Sequence, residues 1–119
     1  MSTTQDPIRT LPITSNELML DIIKSVLENE PNYFLLDRQE LNDALMENIE
    51  NLRPDCILLD YLSQSANLFN LIDNISLQFP EVMTVVILPE DKISDANRVI
   101  LAGARAFIIQ PFKQTFFFI

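Results

Sequence analysis

Pro54-Asp55-Cys56-Ile57-Leu58-Leu59-Asp60 is the stretch that decides the fold. Cys56 to Leu59 is apolar without alternation, and the run ends on a carboxylate. A strand apolar on both faces is what a central parallel strand needs when helices cover both sides of its sheet. Downstream, Thr84 to Leu88 and Ala106 to Ile109 read as two further short strands. Between them a helix carries Val99 and Ile100, with Ser94 in the N-cap position. It closes at Gly103, the only glycine in the chain, which suits an αL cap.

Working back toward the N-terminus, Arg9 to Ile13 reads as a weak first strand interrupted by Pro12. Proline cannot donate to a ladder, so the pattern predicts an edge or a strand end. Ser15 then caps a helix whose apolar stripe is Met19, Ile22, Ile23, Val26 and Leu27, and Pro31 stops it. Tyr33 to Leu36 reads as the second strand. Asp37 with Glu40 three residues on has the spacing of a capping box, opening a helix with Leu41, Leu45, Ile49 and Leu52 inward. A further helix aligns Leu68, Leu71, Ile72 and Ile75 and ends before Pro80. Strand and helix alternate five times with short connections. The reading is a single α/β domain over residues 1–119, a doubly wound five-stranded parallel sheet.

Composition narrows the partners. Seventeen acids against eight bases give a net charge of -9. Phosphate contacts need clustered Lys and Arg, and here no two bases are adjacent, so nucleic acid and anionic membranes are excluded as partners of this surface. The lone Cys56 lies inside an apolar strand and reads as a small buried hydrophobe in a reduced compartment. With no histidine and one cysteine, a zinc site lacks ligands. Met1 to Pro7 is polar and is not a signal peptide, and no apolar run approaches the ~20 residues of a membrane span. A cytoplasmic location is expected. An enzyme on this sheet has little to work with: no glycine-rich phosphate loop, no histidine base and no nucleophile elbow.

In open α/β sheets the functional site lies at the carboxyl ends of the strands, which singles out Thr14, Ser15, Asp60, Pro89 and Gln110. The order of parts, with Pro54-Asp55 through Asp60 and Gly103-Ala104-Arg105-Ala106-Phe107 through Pro111-Phe112, resembles the receiver domain of bacterial response regulators. The resemblance covers about Ile8 to Phe112. It implies that Asp60 stands at the phosphate-accepting position. It also implies an acidic pair for Mg²⁺ where this chain has Thr14 and Ser15, a Thr or Ser where it has Pro89, and a Lys where it has Gln110. Phe107 matches the family's switch aromatic, and Gln110-Pro111 matches its cis bond.

One carboxylate with two hydroxyls is a poor Mg²⁺ site, because that ion favours hard anionic oxygens. The expectation is therefore a pseudo-receiver, with no catalytic residue, no metal and no cofactor, acting through a protein partner or as a homodimer. Interface candidates are Asn97, Arg98, Leu101 and Arg105 with the tail residues Phe116, Phe117 and Phe118. The alternative is a working phosphoreceiver with Asp60 as acceptor and Mg²⁺ as its cofactor. The family's fifth helix is missing or truncated here, and the apolar tail is expected to pack in its groove or against a partner. Either the protein ends at Ile119 or its natural continuation lies beyond. The Ala102-to-Phe112 run also resembles the receiver-like N-terminal domains of Flp/Tad-type pilus-assembly ATPases.

Overall fold

The computed structural model describes residues 6–61 and 68–110, and the backbone of 117–118. The elements run β1 (Ile8–Ile13), α1 (Glu17–Leu27), β2 (Tyr33–Leu35), α2 (Leu45–Leu52), β3 (Cys56–Asp60), α3 (Leu68–Gln78), β4 (Met83–Pro89), a 3-10 segment (Glu90–Asp95), α4 (Ala96–Ala102), β5 (Ala106–Gln110) and β6 (Phe117–Phe118). The sheet order is β2-β1-β3-β4-β5-β6. The first five strands are parallel, and β6 pairs antiparallel with β5 through Ala106↔Phe118 and Phe107↔Phe117. The five-stranded parallel sheet is as the sequence predicts, and β6 adds a strand at its end. Among the described residues no helix follows β5. Pro111, Phe112 and Phe116 lie outside the described residues, as do the side chains of Phe117 and Phe118.

The alternation of side chains along each strand splits the core in two. Leu11, Ile13, Ile57, Leu59, Val86 and Leu88 point to one face and pack with Leu45, Ile49, Leu68, Ile72, Ile75 and Val99 of α2, α3 and α4. Cys56, Leu58, Val85, Ile87, Ala106 and Ile108 point to the other, where Met19 and Ile23 of α1 pack. Every residue of β3 is buried, as its unbroken apolar run requires. Burial in this core pushes the Cys56 thiol up to about 12, with the nearby Asp55 charge adding, so the thiol stays protonated.

Four local expectations change. First, β1 lies inside the sheet, between β2 and β3. Pro12 is tolerated there because its carbonyl, and so its ring nitrogen, faces the β2 side after β2 has ended at Leu35. The amide of Gln39 donates to the Pro12 carbonyl (3.0 Å), and no strand asks that nitrogen for a proton. Second, Asp37 and Glu40 do not open a helix. Residues 36–39 keep running beside β1, with Leu36 N–H donating to Thr10 and Thr14 N–H to Gln39, and α2 starts only at Leu45. Leu41 is exposed accordingly. Third, α1 is capped by Asn16 and not by Ser15: its Oδ1 accepts from the amides of Leu18 and Met19. Fourth, Ser94 lies within the 3-10 segment, and Asp95 occupies the N-cap position of α4.

Gly103 does close α4, at φ +126. A Cβ there would stand 2.6 Å from Ser76 Cβ of α3, so this glycine is required both by its backbone angle and by the close approach of the two helices.

Candidate functional site

The register brings the predicted residues to one rim. Ile13 pairs with Leu59, so Thr14 and Asp60 leave neighbouring strands side by side. Asp60 pairs with Ile87, and Pro89 with Gln110. By alternation Asp60 follows Leu58, and Gln110 follows Ile108, on the face that α1 covers. One strand stands between them, and Asp60 is level with Ile108, two residues before Gln110, so their backbones are about 12 Å apart.

Asp60 is fully buried, with 0% of its surface exposed. The Thr14 hydroxyl donates to its Oδ2 at 2.7 Å, and the same hydroxyl oxygen accepts the Asn16 amide at 3.0 Å. Thr14 thus joins Asp60 to the turn that opens α1. Both partners are buried, and a hydrogen bond is electrostatically stronger in the protein interior than in water. Ser15 is exposed beside this pair.

The β4–β5 side is different. Pro89 has no hydroxyl, and its φ of -68 is the value its ring imposes. Gln110 is half-buried, and its Oε1 lies out of reach of solvent with no hydrogen-bond partner among the described residues. Phe107, at the switch-aromatic position, packs half-buried against the core on the opposite face of the sheet. A magnesium ion at this rim would meet a single carboxylate, already holding the Thr14 hydroxyl, and the hydroxyl residues Thr14 and Ser15. That donor set does not fit the ion. Among the described residues no three His, Cys, Asp or Glu side chains gather where they could hold any metal.

A second constellation beside the rim was not singled out by the sequence. Tyr61 follows Asp60, and its hydroxyl donates to Asp95 Oδ2 at the end of the 3-10 segment. The bond to Asp95 holds the Tyr61 phenol above its usual value of 10.0, with burial and the Asp95 charge acting the same way and Arg98 opposing. Arg98 lies 4.0 Å from Asp95 Oδ1, and its guanidinium stands 4.0 Å over the ring of Phe69 in α3. Only the i, i+3 spacing of Asp95 and Arg98 was visible in advance.

The interface candidates sit together on the outer side of α4 and its exit. Asn97, Arg98, Leu101 and Arg105 are all exposed, Leu101 at 87%. No helix among the described residues is long and apolar enough to cross a membrane.

A doubly wound parallel sheet with its polar residues gathered on the carboxyl rim defines a class, and comparison with known proteins makes it specific. No family profile matches the chain. The curated transcriptional regulatory protein DegU of Brevibacillus brevis is 23% identical over 106 residues, which is 89% of this chain and 45% of DegU. The chain thus spans less than half the length of that relative. The receiver domain of NtrX from Brucella abortus is 27% identical with a TM-score of 0.70, covering 87% of each chain. The beryllofluoride-activated NtrC4 receiver domain dimer is 26% identical with a TM-score of 0.73, over 88% of this chain and 85% of that one. The chain thus has the fold of response-regulator receiver domains and is similar to them in sequence.

Proposed function

We propose that this receiver domain acts as a pseudo-receiver: a protein–protein interaction module that works without phosphoryl transfer and has no catalytic activity of its own. The observation that carries this reading is the state of Asp60, sealed from solvent and bonded to Thr14 where an acidic pair would be needed. Pro89 and Gln110 support it, since neither offers a hydroxyl or an ammonium to a phosphoryl group.

The surface for association is the exposed face of α4 with Asn97, Arg98, Leu101 and Arg105. An apolar side chain 87% exposed among charged neighbours is the composition of an interface. The NtrC4 receiver domain, similar in fold, forms a dimer. Sedimentation at tens of micromolar is expected to show a dimer that Leu101→Glu dissociates; a strict monomer would contradict the homodimer. The occupant would then be another protein, in a cytoplasmic setting and without nucleic acid or membrane.

The second reading is a phosphoreceiver that uses Asp60, and the retained carboxylate at the end of β3 favours it. It requires uptake of phosphate from a small-molecule donor that Asp60→Asn abolishes. The narrower possibility, the receiver-like domain of a pilus-assembly ATPase, rests on the Ala102-to-Phe112 run alone.

A further inference from the structure

β2 stands at one end of the sheet, with β1 on one side of it and no strand on the other among the described residues. The Asn32 carbonyl accepts from Ile8 and the Leu36 amide donates to Thr10, so residues 32, 34 and 36 turn their backbone groups toward β1. Tyr33 and Leu35 turn theirs outward. Glu30 takes the Tyr33 N–H, which leaves the Tyr33 carbonyl and both backbone groups of Leu35 without a partner among the described residues. Such an edge is a template for another chain, and native proteins blunt it with proline, lysine or an inward charge. From Tyr33 to Leu36 there is none of these. Tyr33 is 37% exposed on the face that α1 covers, and Phe34 is 53% exposed on the opposite face.

The charge around this edge selects what fits it. Ahead of Arg53 the chain has ten acids and three bases. Arg38 is paired with Glu17 at 2.7 Å, and Arg9, opposite Phe34 on β1, sends its guanidinium to the Leu52 carbonyl, which leaves Lys24. Glu28, Glu30, Asp37 and Glu40 flank β2 and are all exposed. A second copy brought edge to edge would set the same carboxylates against these, and like charges facing each other oppose association. A segment that carries Lys or Arg between apolar residues meets the opposite sign.

We propose that the β2 edge is a docking strand for a basic, extended segment of a partner protein. The segment adds to the sheet beside β2, accepting from the Leu35 amide and donating to the Tyr33 and Leu35 carbonyls. Its apolar residues rest on Tyr33 and Phe34, and its Lys or Arg side chains meet Glu30 and Asp37. This edge lies at the opposite end of the sheet from β5 and β6. It goes beyond the interaction reading above and depends neither on the α4 face nor on the Asp60 rim.

The probe is a short synthetic peptide of alternating lysine and valine, titrated into the full chain and followed by NMR at each amide. The expected result is a saturable shift of the Leu35 amide, with exchange of that proton slowed about tenfold at saturation. A peptide with glutamate in place of every lysine is expected to leave it still. Leu35→Pro removes the outward N–H, a change that an edge strand tolerates, and is expected to weaken binding about tenfold. If that variant does not fold, Glu30→Lys with Asp37→Lys decides, with a loss of about tenfold as well. Binding without protection of the Leu35 amide, equal binding of the glutamate peptide, or no saturable shift from Tyr33 to Leu36 overturns the dock. A Leu35 amide that becomes protected when the chain alone is concentrated puts a second copy there and overturns the basic partner. Peptide binding by a strictly monomeric chain supports the dock and counts against the α4 dimer alone.

Discussion

On the β1–β3 side of the carboxyl rim a buried carboxylate and a buried hydroxyl satisfy one another, and on the β4–β5 side the polar atoms are left over. The Thr14 hydroxyl donates a hydrogen bond to Asp60 and accepts one from the Asn16 amide, so a single side chain stitches two strands to a helix. Pro89 and Gln110 form no such network: one has no donor, and the other holds a buried oxygen with no partner among the described residues. The same edge thus has a half built for stability and a half stripped of chemistry. A site that bound and released a phosphoryl group would need both halves to act on one ligand.

The contrast can be broken first at its strong half. Thr14→Val removes the donor and leaves a carboxylate buried without it, which is expected to cost about 1–3 kcal/mol of unfolding free energy in urea denaturation. Thr14→Ser, which keeps the hydroxyl, should recover most of that. A Thr14→Val protein as stable as the parent would show that Asp60 does not depend on this bond.

A smaller effect is expected at alkaline pH beside the rim. The Tyr61 phenol is held above its ordinary value of 10.0 by its bond to Asp95. A group whose folded value is raised contributes stability that is present below the unfolded value and lost as pH rises through the folded one. The denaturation midpoint of the parent should therefore fall, relative to that of Tyr61→Phe, only above about pH 10. An unchanging gap between the two proteins through that range would show that the phenol keeps its ordinary value in the fold.

The smallest effect belongs to the stripped half. Gln110→Met replaces an unpartnered buried amide oxygen by an apolar group of similar size, and should leave stability within about 0.5 kcal/mol or raise it. A loss comparable to that of Thr14→Val would mean that Gln110 takes part in a network after all, and the two halves would no longer differ.

The fold was legible because each apolar run carries its own meaning: unbroken in Cys56–Leu59, spaced for a helix in Met19–Ile23, closed by the one glycine at Gly103. Local signals misled where backbone pairing between distant segments decided the outcome. Asp37 and Glu40 have capping spacing, but Gln39 is drawn beside Ile13 and Thr14 by the sheet, and the helix waits until Leu45. Pro12 signals an edge in any one-dimensional reading, since only the register shows that β2 ends before its nitrogen needs a partner. Asn16 and Ser15 are both good caps, and one residue of phase separates them. At the rim the residue types were readable as a degraded set. The pairing of Thr14 with Asp60 follows from the register of β1 against β3, which no spacing reports. The Tyr61–Asp95 contact joins residues 34 apart, and neither carries a motif.

The central claim is that the Asp60 rim takes no phosphoryl ligand. The direct test is an amide NMR titration with Mg²⁺ followed by beryllofluoride, a mimic of the aspartyl phosphate. No saturable shifts are expected at Asp60, Tyr61 or Gln110, with Phe107 and α4 equally still. Saturable shifts that begin at Asp60 and spread to Phe107 and α4 would contradict it, and would establish a working phosphoreceiver in its place.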